Sequence, residues 1–225
     1  MQMPYKDTSR PDAVVLDYCA WPTLEEGQSE MEFHLIYQGE LPAASGKGKR
    51  TRTPEKHAIR KVFHKQLAQL WKTHPFLYGF LDEVGPPDKP RHNYGDRYAR
   101  CGYRFVPLVS EFFMVACALD ILFLRRDGPG ALVKSGGDID NRLKVLFDAL
   151  RMPQTCDEVC GESPRPEENP FYCLLEDDSL ITQVRVDTNW LLTPPGANEH
   201  INDVHLIIKV KTIVVGSGTY ESAFH

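Results

Sequence analysis

The chain has 225 residues, 42 % apolar and 25 % charged, with a mean hydropathy of -0.37. That is enough apolar material for a packed core and too little polarity bias for global disorder. The longest uncharged apolar run, Phe112 to Leu119, is cut by Asp120 and is too short to cross a bilayer. The first residues include acids and lack the apolar stretch of a secretory signal, so a cytoplasmic protein with six reduced cysteines is expected. A net charge of -5 argues against a polyanion partner, but its distribution does not. Between Lys47 and Lys65 eight Lys/Arg stand against Glu55 alone, whereas residues 157–178 hold eight acids against Arg165 alone. Such segregation suits either a polyanion grip beside cation-binding carboxylates or an ordinary dipolar surface.

Residues 1–30 read as an acidic arm and 216–225 as a tail. Between them one core domain is expected over 31–215. Met31 to Leu41 alternates as a strand. After the Gly/Ser/Lys loop 43–53, Pro54 and Glu55 open a helix. Its apolar residues Ile59, Phe63, Leu67, Leu70 and Trp71 recur at helical spacing, and it ends before Pro75. Residues 75–107, rich in Gly, Pro, Tyr and Arg, read as an irregular insertion. Phe112 to Arg125 reads as a buried strand, and Gly128 to Gly137 as a loop. Asp140 to Arg151 is a helix, followed by a second insertion over 152–173. Leu180 to Val186 and Val204 to Val210 alternate as strands. The expected class is α/β (α+β): a β-α-β-α-β-β core with a mixed sheet and two insertions.

The chemistry-bearing stretch runs from Gly136 to Leu150. On a helix, Leu143, Leu146, Phe147 and Leu150 make one apolar stripe. Asp140, Lys144 and Asp148 follow each other at i+4 steps on another face, with Asn141 beside them. Asp138 lies just before this helix, and Glu176, Asp177 and Asp178 precede the next strand. Carboxylates gathered at such junctions are what a hard divalent cation requires. Taken singly, each has a plainer role: Asp140 as a helix cap, Lys144 in surface ion pairs, Asp177 and Asp178 in a solvated turn.

The pattern Asp138-Ile-Asp140-Asn141, Lys144, Asp148-Ala-Leu150, then Asp177-Asp178 ahead of an alternating strand, resembles the RusA-type Holliday junction resolvases. The resemblance implies a homodimeric endonuclease that binds magnesium, or manganese, and nicks four-way DNA junctions. It implies Asp138, Asp140 and Asp178 as metal ligands and catalytic residues together with Lys144, with Asn141, Asp148 and Asp177 supporting. Lys47, Lys49, Arg50, Arg52, Lys56, Arg60 and Lys61 would neutralise phosphates. The alternative is a nucleic-acid-binding or regulatory protein of this fold with another substrate or no cleavage activity. Tyr94, Arg97, Tyr98, Arg100, Tyr103 and Arg104 interleave aromatics with cations, compatible with base stacking or with an ordinary loop. Cys156, Cys160 and Cys173 have only a loose zinc-like spacing, so thiols are preferred there. His57 and His64, seven apart on the basic helix, read as DNA-facing or neutral surface groups.

Overall fold

The structure is a computed structural model that describes residues 31–44, 52–74, 77, 80–81, 94–126, 139–192 and 203–215. The arm 1–30, the tail 216–225, Asp138, Lys47, Lys49 and Arg50 lie outside the described residues.

Strand β1 (Glu32–Glu40) leads to helix α1 (Thr53–Thr73). Then come β2 (Ala99–Arg100), β3 (Tyr103–Val109) and β4 (Val115–Arg125), followed by helix α2 (Ile139–Leu150). The chain continues with β5 (Phe171–Leu175), β6 (Ile181–Trp190) and β7 (Asp203–Val214). The mixed α and β character agrees with expectation. The main sheet has the order β1-β7-β4-β6, antiparallel except for the parallel pair β4/β6. A smaller sheet, β2-β3-β5, joins an antiparallel and a parallel pair.

The second sheet corrects the reading of 75–107 as an irregular insertion and of 152–173 as an insertion outside the core. Tyr103–Val109 and Phe171–Leu175 are strands that supply Phe105, Val109, Phe171, Leu174 and Leu175 to the core at full burial. Parallel strands covered on both faces lose the alternation by which a half-buried strand is recognised. Pro107 inside β3 further disguises it.

Helix α1 forms as expected. Pro54 sits in the first turn, Glu55 and Lys72 complement the helix dipole, and the His74 N–H closes on Leu70 O at 2.9 Å. Ile59, Phe63, Leu67 and Trp71 form its buried row, packed against β1, β5 and α2. On α2 the fully buried residues are Arg142, Val145, Leu146, Ala149 and Leu150, with Leu143 and Phe147 only partly covered. The stripe is therefore rotated from the expected one, because α2 packs into the angle between α1 and β5 rather than flat on one sheet.

Candidate functional site

The fold brings α2 against the turn that links β5 to β6. That turn begins at Asp177, whose carboxylate accepts the Ser179 N–H at 3.0 Å and caps the short helical turn Asp178–Leu180. Asp177 also accepts from Gln154 Nε2 at 2.8 Å, and the Ser179 donors hold its pKa below the ordinary carboxylate value. Asp177 is thus a structural cap. Its neighbour Asp178 is exposed and makes no side-chain hydrogen bond or ion pair with another described residue. Glu176 points inward, accepting from Tyr98 Oη and from the Glu111 N–H, each at 3.0 Å.

On α2, Asp140 and Lys144 lie on the exposed face, with Lys144 Nζ 3.3 Å from Asp140 Oδ2 and the side chains 64 % and 55 % exposed. Asp148, one turn further, is committed elsewhere. Lys56 Nζ approaches it at 2.6 Å and Arg151 Nη2 at 2.9 Å. Its role is to fasten α1 to the end of α2, which is supporting in the structural sense. Asn141 offers its carbonyl to the Ala44 N–H at 3.2 Å, and Arg142 Nη1 donates to Leu41 O at 3.2 Å. The chain after β1 is therefore tied to the first turn of α2 just before the basic segment begins.

The described basic residues are mostly occupied. Arg52 pairs with Glu55 at 3.1 Å, and Lys61 binds Glu162 and, at 3.5 Å, Glu168. Arg60 corrects the expectation of a phosphate contact: it is 1 % exposed, and no backbone phosphate could reach it. Its guanidinium donates to Arg151 O at 3.0 Å and Asp148 O at 2.7 Å, and pairs with Glu158 at 3.4 Å. Sequence spacing put Arg60 on the helix but could not show which face meets α2. The acidic insertion, read as a candidate cation region, instead supplies Glu158, Glu162 and Glu168 as partners for this helix.

His57 and His64 are buried, not surface groups. His64 Nδ1 accepts the Tyr172 N–H at 2.9 Å, so the ring is neutral with its Nε2–H directed at Glu167 O, 3.0 Å away. Burial pushes its pKa down. His57 is pushed down to about 4, first by burial and then by Arg60 and Lys61. The tyrosines of the Tyr/Arg alternation are likewise internal: Tyr94, Tyr98 and Tyr103 are buried, whereas Arg97 is exposed, with its guanidinium over the Phe112 ring at 4.7 Å. Cys101 and Cys156 form a disulfide, correcting the expectation of reduced thiols throughout. With Cys156 so bonded and Cys173 buried, the loose cysteine spacing offers no zinc set.

Asp140 and Asp178 are thus the two expected metal ligands among the described residues. No three His, Cys, Asp or Glu among those residues converge as a ligand group, and Asp138 lies outside them. The donor set is all oxygen, which fits a hard divalent cation. None of the described helices is long and apolar enough to cross a membrane. No family model matches the chain, and no curated protein or solved structure matches it.

Proposed function

We propose that this protein is a divalent-metal-dependent endonuclease acting on branched DNA, as its resemblance to the RusA-type resolvases implies. The observation that carries the reading is the junction at α2. One end of that helix presents exposed Asp140 and Lys144, the turn holding exposed Asp178 packs against the same helix, and the Ala44 to Asn141 bond ties the approach to the basic segment there. Asp140 and Asp178, with Asp138, would hold magnesium or manganese. Bound there, such a cation lowers the pKa of water and stabilises the leaving oxygen. Lys144 is long, exposed and one turn from Asp140, so exchanging that carboxylate for a phosphate oxygen needs only side-chain rotation. Asp148 takes no part in the chemistry, because two cations already hold it. The capped turn at Asp177 fixes where Asp178 leaves β5.

The test is a panel of labelled four-way junction, fork, flap, duplex and single strand, with and without magnesium or manganese. Wild-type protein should nick a branched substrate only with metal. Asp140→Asn and Asp178→Asn should each cut about 10² or more slower while binding at least as tightly, since carboxylate–phosphate repulsion falls. Metal-independent cutting, or wild-type cutting by both variants, overturns the site. Tight binding to branched DNA without cleavage under any metal establishes the second reading, a binding protein of this fold.

A further inference from the structure

Strands β3 and β5 run parallel, and their last residues, Val109 and Leu175, lie side by side. In parallel sheets, ligands bind in the space beyond the carboxyl ends of the strands. Two turns leave that rim: Ser110 to Met114 after β3, and Glu176 to Leu180 after β5. A third segment, the short helical turn Tyr94–Tyr98, joins them. All three meet at one carboxylate. Glu176 Oε2 accepts from Tyr98 Oη and from the Glu111 N–H, each at 3.0 Å, while the Glu176 N–H donates to Val109 O at 2.9 Å. Arg97 and Phe112 are each the chain neighbour of a residue bonded to that oxygen, and Asp178 is two residues beyond Glu176.

Phe112 is a fixed shelf on this rim. Its ring packs edge-on against Phe113 at 5.2 Å and, tilted, against Tyr94 at 5.3 Å. Both neighbours are buried, and Tyr94 Oη lies 3.0 Å from Pro107 O and 2.8 Å from Ser110 Oγ. Over the shelf lies the exposed guanidinium of Arg97, 4.7 Å from the ring centroid. Stacking of this kind sets the plane of the guanidinium without using any of its N–H groups. Arg97 makes no hydrogen bond or ion pair with another described residue, and its neighbour Asp96 faces Arg104 at 3.7 Å.

A flat, oriented guanidinium with its donors free matches a phosphate through two parallel hydrogen bonds. The rim needs such a cation, because the acids of the adjoining turn repel a phosphate approaching Asp178. The α1 cations expected to receive phosphates are spent within the protein: Arg52 on Glu55, Lys56 on Asp148, Arg60 in the core and Lys61 on Glu162. A nucleobase stacked on the open face of Arg97 would leave its donors and its charge unanswered. We propose that Arg97, held flat on Phe112, binds a backbone phosphate of the DNA strand that runs past Asp178. The fate of that strand rests on the nuclease reading, whereas the contact itself requires only that the chain bind DNA.

Anisotropy of a labelled four-way junction, titrated with the full chain without metal at about 50 to 200 mM salt, reads the contact. Magnesium-dependent nicking of the same junction reads its use. Arg97→Ala should lower the log–log salt slope by roughly 0.9, and Arg97→Lys should keep it. Nicking should slow about tenfold in both variants, since lysine restores the charge but not the fork. Phe112→Leu should keep the slope and slow nicking about threefold, because the guanidinium loses its shelf. Both Arg97 variants should melt with the wild type. An Arg97→Ala protein with the wild-type slope overturns the contact, whether or not the chain cuts DNA. So does one that loses affinity with its slope intact, which marks a base stacked on the arginine instead. A wild-type chain that binds but never nicks, with the slope reduced in Arg97→Ala, overturns the nuclease reading and upholds the phosphate contact. A chain that binds no DNA overturns both.

Discussion

Arg60 is a fully buried cation whose donors end on the last turn of α2, at Asp148 O and just past it at Arg151 O. Helix α2 has no basic residue of its own in that turn, so Arg60 supplies from α1 the positive charge that a helix C-terminus favours. Its forked geometry serves two carbonyls and Glu158 together, which an ammonium cannot do. Arg60→Ala should therefore destabilise the fold by about 2 to 4 kcal/mol, leaving the Asp148 and Arg151 carbonyls without this donor while Glu158 keeps Arg151 at 3.3 Å. Arg60→Lys should recover only a minor part. Denaturant unfolding of the three proteins measures this, and an alanine variant within 1 kcal/mol or so of wild type would show that water replaces the guanidinium at little cost.

At the scale of elements, the turn between β2 and β3 is joined covalently to the segment after α2 through Cys101 and Cys156, 55 residues apart. The same region is held by Arg100 Nη1 donating to Pro153 O at 3.2 Å and by Arg104 Nε donating to Asn169 Oδ1 at 3.2 Å. These bonds keep the smaller sheet in place behind the turn that carries Asp178. Closing a loop of that length restricts the unfolded chain, so reduction should lower stability by about 2 to 4 kcal/mol. Thermal melting with and without reductant, compared with the Cys101→Ser/Cys156→Ser protein, checks it: the double variant should melt with the reduced wild type. If reductant leaves the wild-type melt unmoved, the crosslink contributes no stability.

Across the whole molecule, the seam between α1 and the second sheet is lined by neutral imidazoles. His64 stacks on Phe171 at 4.4 Å and His57 at 6.1 Å. Because the folded-state pKa of His57 lies near 4 rather than 6.5, the unfolded chain binds the proton first as pH falls. The stability from keeping this ring neutral is complete above about pH 6.5 and declines as pH drops towards 4, by on the order of 3 kcal/mol. His64, lowered in the same direction, adds to the loss. Urea unfolding between pH 7 and 4 should show this slope, and His57→Phe should flatten it. A variant profile as steep as wild type would assign the proton uptake to other groups.

The sequence alone determined the elements whose environment repeats with a simple period. The α1 row Ile59, Phe63, Leu67 and Trp71 and the β7 row Val204, Leu206, Ile208 and Val210 are buried on one side, so their spacing carries the geometry. It also located α2 and the exposed pair Asp140 and Lys144, four residues apart on one helix face. Only the resemblance singled out Asp178; residue type and spacing could not separate it from Asp177 and Glu176, because three adjacent acids look alike until Ser179, Gln154, Tyr98 and Glu111 claim two of them. Nor could they show that Arg60 and Lys56 turn towards α2, or that β3 and β5 pair over a separation of more than sixty residues. Local pattern records how one segment meets solvent. Which buried charge finds which carbonyl, and which strand lies beside which, depends on partners distant in the chain, and only the tertiary structure decides those.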